Sequence, residues 1–144
     1  MKHFILSVLS LLIIGYSLAT CKGAGGDELK GVWMDEEKNT KIEFFKDGDT
    51  CSGKIVWLAN PTDSKGNPRL DINNPDPGKR DQPIIGLIII QGLEYSGGSW
   101  EGKIYAPLRG RYANCKIQTV SEDQLQLTVS VAMFSQTKTW TRAK

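Results

Sequence analysis

The sequence predicts an all-β protein, a single antiparallel meander of about eight strands closing into a barrel, with one long loop rich in Pro, Asn and Asp. Three observations predict it. Apolar and polar residues alternate with period two through most of the chain beyond residue 30. Turn formers such as Asp47-Gly48, Gly97-Gly98 and Pro107-Leu108-Arg109-Gly110 punctuate the alternation. No segment after the first twenty residues repeats apolar side chains at helical spacing.

The elements follow in order. Gly31-Val32-Trp33-Met34 opens the first strand. Thr40 to Lys46 is the second, with Ile42 and Phe44 on one face and Lys41 and Glu43 on the other. Thr50 to Leu58 is the third, with Cys51, Gly53, Ile55 and Trp57 opposed to Ser52, Lys54, Val56 and Leu58. From 59 to 83 the alternation stops, and five of the six prolines fall there. So long a loop in a small domain points to function or to specific packing. Ile84 to Gln91, extendable to Tyr95, is apolar enough for burial on both faces. Ser99 to Tyr105, Arg111 to Val120, Gln124 to Met133 and Thr137 to Arg142 complete the meander. In the seventh strand Leu125, Leu127, Val129, Val131 and Met133 form one apolar face. Trp33, Trp57, Trp100 and Trp140 all fall on core-facing positions.

The first twenty residues are set apart. A short basic start, an apolar run from Phe4 to Ile14 and small residues before Cys21 have the layout of a secretory signal peptide. Two cleavage readings stand side by side. Ser17-Leu18-Ala19 suits a standard signal peptidase. Leu18-Ala19-Thr20-Cys21 resembles a lipobox, with Cys21 lipidated. The predicted organisation is a signal peptide at 1–20, a flexible tether at 21–28 and the barrel at 29–144, in an exported protein of the periplasm or lipid-anchored to the outer membrane.

Composition narrows the function. Net charge is +2, and loss of Lys2 with the leader lowers it by one. That balance argues against nucleic acid, and against a membrane except through a lipid on Cys21. The one histidine, His3, lies in the leader, which removes Ser-His and Cys-His pairs and imidazole metal sites. Glu43, Glu94 and Glu101 face outward by the alternation, so acid–base hydrolysis is left only Asp71, Asp76 or Asp81. No enzyme, cofactor or metal is expected. Three cysteines in an exported chain leave one to explain. With Cys21 lipidated, Cys51 and Cys115 either pair or stay as buried thiols.

Two structural constellations stand out. Gly31-Val32-Trp33 and Arg142 sit on strands that a closed meander brings together, so Trp33 and Arg142 are expected to stack and shut one end. The pattern resembles the signature of lipocalin-like barrels. In the long loop, Asp71, Asn73, Asn74, Asp76 and Arg80 either converge on a ligand or cap turns, with Arg80 paired to an acid.

Six blocks in order resemble an exported bacterial family catalogued as domain of unknown function 2147. They are Gly31-Val32-Trp33, Gly53-Lys54-Ile55-Val56-Trp57-Leu58, Asp71-Ile72-Asn73-Asn74-Pro75-Asp76-Pro77, Arg80-Asp81-Gln82-Pro83-Ile84-Ile85-Gly86-Leu87, Gly102-Lys103-Ile104-Tyr105 and Thr139-Trp140-Thr141-Arg142. Ala106 departs from the family's frequent Asp before the proline, so no site role is carried to it. The resemblance implies a lipocalin-like architecture and no chemistry. Two functions follow. One is a non-catalytic barrel holding a small apolar or amphipathic ligand. The other is a filled barrel presenting the 59–83 loop to an envelope protein partner. A hollow or a packed interior separates them.

Overall fold

The computed structural model describes residues 28–144. The expected leader, most of the tether and Cys21 lie outside the described residues. Eight strands run in order: β1 (Gly31–Met34), β2 (Thr40–Asp47), β3 (Thr50–Leu58), β4 (Ile88–Ser96), β5 (Ser99–Ala106), β6 (Arg111–Ser121), β7 (Gln124–Val131) and β8 (Phe134–Arg142). Each is antiparallel to the next, and β8 returns to β1 through Trp33↔Arg142 and Met34↔Thr141. The barrel is therefore closed, through a short seam of two residue pairs between β1 and β8. One short 3-10 turn, Pro77–Lys79, is the helical element among the described residues.

A meander sends alternate turns to opposite ends. The β2–β3, β4–β5 and β6–β7 turns share one end with the start of β1 and the finish of β8. That end is shut. Trp33 is fully buried, and its Nε1 donates to the Leu29 carbonyl at 3.0 Å. Arg142 lies over the Trp33 ring at 4.3 Å. Its guanidinium donates to the carbonyls of Glu122, Lys30 and Glu28 at 2.7, 2.6 and 3.2 Å. Glu28, assigned to the tether from sequence, is thus in contact with the barrel, and its carboxylate also accepts from Thr119 Oγ1 at 2.6 Å. Phe44, Leu93, Trp100, Ile117 and Leu125 are buried in the same continuous core.

Four sequence expectations are corrected. Trp57 is 39% exposed, not core-facing. Lys41 pairs with Trp57 but Ile42 pairs with Ile55, so a bulge at Val56 shifts the alternation. Ile55 stays inside, Trp57 turns out under the Lys41 ammonium 5.3 Å away, and Leu58 packs on the core instead. The fourth strand begins at Ile88, because Ile84 to Leu87 is spent docking the loop: Gly86 N–H donates to the Ile55 carbonyl at 2.7 Å and Ile55 N–H to the Leu87 carbonyl at 3.0 Å. The seventh strand stops at Val131, where a tight turn over Ala132-Met133 leads to Phe134.

The fourth correction concerns cysteine. Cys115 is a free, buried thiol. Cys51 is buried as well, and the two do not pair with each other. The reason is topological: Cys51 sits on β3 opposite Leu93, Cys115 on β6 opposite Gly102, and β4 and β5 lie between. Burial pushes the Cys115 thiol up to about 11, which keeps it protonated and inert at neutral pH.

Candidate functional site

At the other end the β1–β2 turn, the 59–87 loop, the β5–β6 turn and the β7–β8 turn surround a mouth. Below it is a cavity of about 580 Å³. The wall is apolar because inward positions of the alternating strands supply it: Ile42, Ile55, Ile89, Ile104, Leu127, Val129 and Trp140. The barrel is thus packed toward its shut end and hollow toward its mouth. The volume falls within the ~300–1,000 Å³ of small-molecule sites, and an apolar wall with few polar groups is their usual lining.

The polar groups are on the rim. Asp35 spends one carboxylate oxygen on the N–H groups of Asn39 and Thr40, at 2.7 and 2.9 Å. Glu37 pairs with Lys138. Arg69 gives its Nε to the Asn60 carbonyl at 2.7 Å. The ion pairs among the described residues are Lys54–Glu43, Lys138–Glu37 and Arg142–Asp123, so Arg69 and Arg109 bring positive charge to the rim outside any of them.

The long loop is ordered rather than slack. Bridges Thr62↔Pro68 and Leu70↔Pro83 fold it on itself. The Asp63 carboxyl accepts the N–H groups of Asn67 and Lys65, which hold it below the ordinary carboxylate range. Asp71 fastens the loop to the barrel. It is fully buried, accepts from Tyr105 Oη at 2.8 Å and from Asn74 Nδ2 at 2.7 Å, and its N–H donates to the Gln82 carbonyl. Burial first, then the Asp71 hydrogen bond, pushes the Tyr105 hydroxyl up to about 12, so it stays a donor. Asn73 Nδ2 adds a bond to the Leu108 carbonyl at 3.0 Å in the β5–β6 turn.

The loop residues singled out from sequence are therefore neighbours with separate tasks. Asp71 and Asn74 meet. Asp76 caps the 3-10 turn through Gly78 N–H, and its own N–H binds Asn74 Oδ1. Arg80 does not pair with an acid. Its Nε donates to the Asn74 carbonyl at 2.8 Å, because the loop turns that carbonyl toward it while Asp71 and Asp76 are spent elsewhere. No cluster of metal-ligating side chains is found among the described residues. Sequence reading missed Tyr105 as the partner of Asp71, and it missed the rim arginines. Tyr105 ends the Gly102-Lys103-Ile104-Tyr105 block, which was the available sign. A second hollow of about 450 Å³, lined by Lys79, Gln82, Ile88, Gln91 and Tyr112, flanks the loop, and Tyr105 borders both.

An up-and-down antiparallel barrel of eight strands, shut at one end by a stacked Trp and Arg, is lipocalin-like in architecture. Residues 31–142 match the family described as uncharacterized protein conserved in bacteria, domain of unknown function 2147, and the chain belongs to that family. Among solved structures it is similar to HP1028 from Helicobacter pylori, a protein described as belonging to the lipocalin family. The TM-score is 0.71 at 22% identity, covering 81% of this chain and 83% of that one. No curated protein matches the chain.

Proposed function

We propose that this protein is a non-catalytic carrier whose barrel holds one small amphipathic molecule. The cavity is the observation that carries the reading: a filled interaction module has no reason to leave about 580 Å³ of apolar space open under its mouth. The tail would lie among Ile42, Ile89, Leu127 and Trp140, and a polar or anionic head would sit at the rim beside Arg69 and Arg109. Export to the envelope belongs to the reading and is supported by the leader-like residues 1–20. Native mass spectrometry of protein purified from its own envelope tests it. A retained adduct of one small-molecule mass, absent after delipidation, is expected. A bare polypeptide that also fails to bind long-chain fatty acids or their alcohols would overturn it.

A further inference from the structure

Around the mouth the sequence places apolar side chains that stand largely exposed. Met133 is 95% exposed and Phe134 81%, with Val131 beside them at the β7–β8 turn and Leu108 at the β5–β6 turn. None of the first three lines the cavity. The β7–β8 turn itself is costly. Val131 pairs with Phe134, so Ala132 and Met133 form a two-residue turn, and Ala132 takes φ +51°. Such a position favours glycine, and a side chain there costs ~1 kcal/mol. Neither folding nor solubility asks for Ala-Met-Phe at that tip.

Charge identifies what the tip meets. The overall balance hides a segregation. From residue 102 to residue 144 the carboxylates are Glu122 and Asp123, both in the β6–β7 turn at the shut end. The same stretch carries Lys103, Arg109, Arg111, Lys116 and Lys138, with Arg142 and Lys144 at the shut end beside the two acids. The β6–β7 ladder reaches Asn114↔Ser130 toward the mouth, so Arg111, at the start of β6, lies beside the hairpin tip. Acid does reach the mouth from the β1–β2 turn, where Glu37 is spent on Lys138 and Glu36 on the Thr139 N–H, but the β5–β6 and β7–β8 turns carry none. Protruding Met and Phe flanked by Arg109 and Arg111 is the chemistry of an interfacial membrane anchor.

We propose that the β5–β8 side of the mouth docks on an anionic lipid bilayer, with Leu108, Met133 and Phe134 entering the interface and Arg109 and Arg111 on the headgroups. The net charge alone gave no such surface; its distribution does. The docked orientation turns the cavity mouth toward the bilayer, so an amphipathic molecule would pass between them without crossing water. The docking stands on the exposed tip and the charge segregation, and does not require the carrier reading.

Vesicle cosedimentation of the chain produced without residues 1–20, and so never lipidated, tests it. Binding to phosphatidylglycerol–phosphatidylcholine vesicles at low salt is expected, with loss on pure phosphatidylcholine and in high salt. M133S combined with F134S should weaken binding at least tenfold, and R111Q about fivefold, the value of one basic side chain at an anionic surface. F134W keeps an aromatic tip, and its fluorescence should be quenched by brominated lipid. No binding to anionic vesicles, binding unchanged by the double substitution, or an unquenched F134W would each overturn the proposal. V129W, which fills the cavity, should leave vesicle binding intact, so the two readings fail separately.

Discussion

The Asp71 carboxylate and the Tyr105 hydroxyl, 34 residues apart in sequence, meet at 2.8 Å where the long loop joins the barrel wall. Both are buried. The bond joins a loop of 29 residues, 59–87, to β5 at the edge of the cavity, so it links folding of the loop to the shape of the mouth.

The first prediction concerns that bond. Tyr105→Phe removes one of the two side-chain donors to a buried carboxylate, which should cost ~1–3 kcal/mol. The bond also makes stability depend on alkaline pH. The Tyr105 hydroxyl is raised from 10.0 to about 12, so its contribution is complete below pH 10 and is lost as pH climbs toward 12. Urea unfolding at pH 8 and at stepped alkaline pH should show the wild type converging on Tyr105→Phe over that window. A constant gap between the two would refute the assignment.

The second concerns Gly110. It adopts φ +59°, and a Cβ there would lie 1.9 Å from the Asn73 carbonyl oxygen. The β5–β6 turn and the 71–74 turn are backbone against backbone. Gly110→Ala should therefore lose more than the ~1 kcal/mol of left-handed backbone alone, and it should loosen the loop. Thermal unfolding measures the first effect. Amide exchange at Asn74 and Arg80 measures the second, and protection equal to wild type would count against the contact.

The third concerns the shut end. Arg142→Ala deletes the stack on Trp33 and three bonds to the carbonyls of Glu28, Lys30 and Glu122. A loss of about 3 kcal/mol is expected for stacking and charged hydrogen bonds at a partly exposed site. Arg142→Lys should recover little, since one ammonium cannot span three carbonyls. Full recovery by lysine would show that charge alone matters.

The fourth concerns the thiols. Ellman's reagent at pH 8 should find Cys115 unreactive in the folded protein, given its burial and its elevated pKa of about 11. Alkylation after unfolding without reductant should label Cys115. A Cys115 that escapes label under those conditions would contradict its free thiol.

What the sequence revealed and what it concealed divide by range. Strand alternation and turn glycines are local, so β2, β5, β6 and β7 could be read nearly to their ends, and the closure of β8 on β1 followed from the meander. The Val56 bulge defeated the reading of Trp57, because one extra residue flips every later side chain and nothing in Val-Trp-Leu marks it. Asp71 was singled out, but as a cap or a ligand. Its bond to Tyr105 depends on how a long loop folds back, which no local pattern encodes. The cavity was left open for a related reason: alternation says which residues face inward, not whether they fill the space.

The last prediction tests that space. Val129 packs on the core from β7 and lines the cavity, and it is only half-buried there. Val129→Trp should project its indole into the hollow. In a filled barrel the extra atoms would force neighbours off their rotamers and cost ~1–3 kcal/mol. In a hollow one the ring has room to gain apolar contact, so stability should hold or rise. Binding of a fluorescent fatty acid should fall at least tenfold in the same variant, because the indole takes the place of the tail. Arg109→Gln should weaken the fatty acid more than the matching alcohol if the rim reads an anionic head. A Val129→Trp protein that unfolds easily and a wild type that binds neither probe would together mean the interior is closed to ligands.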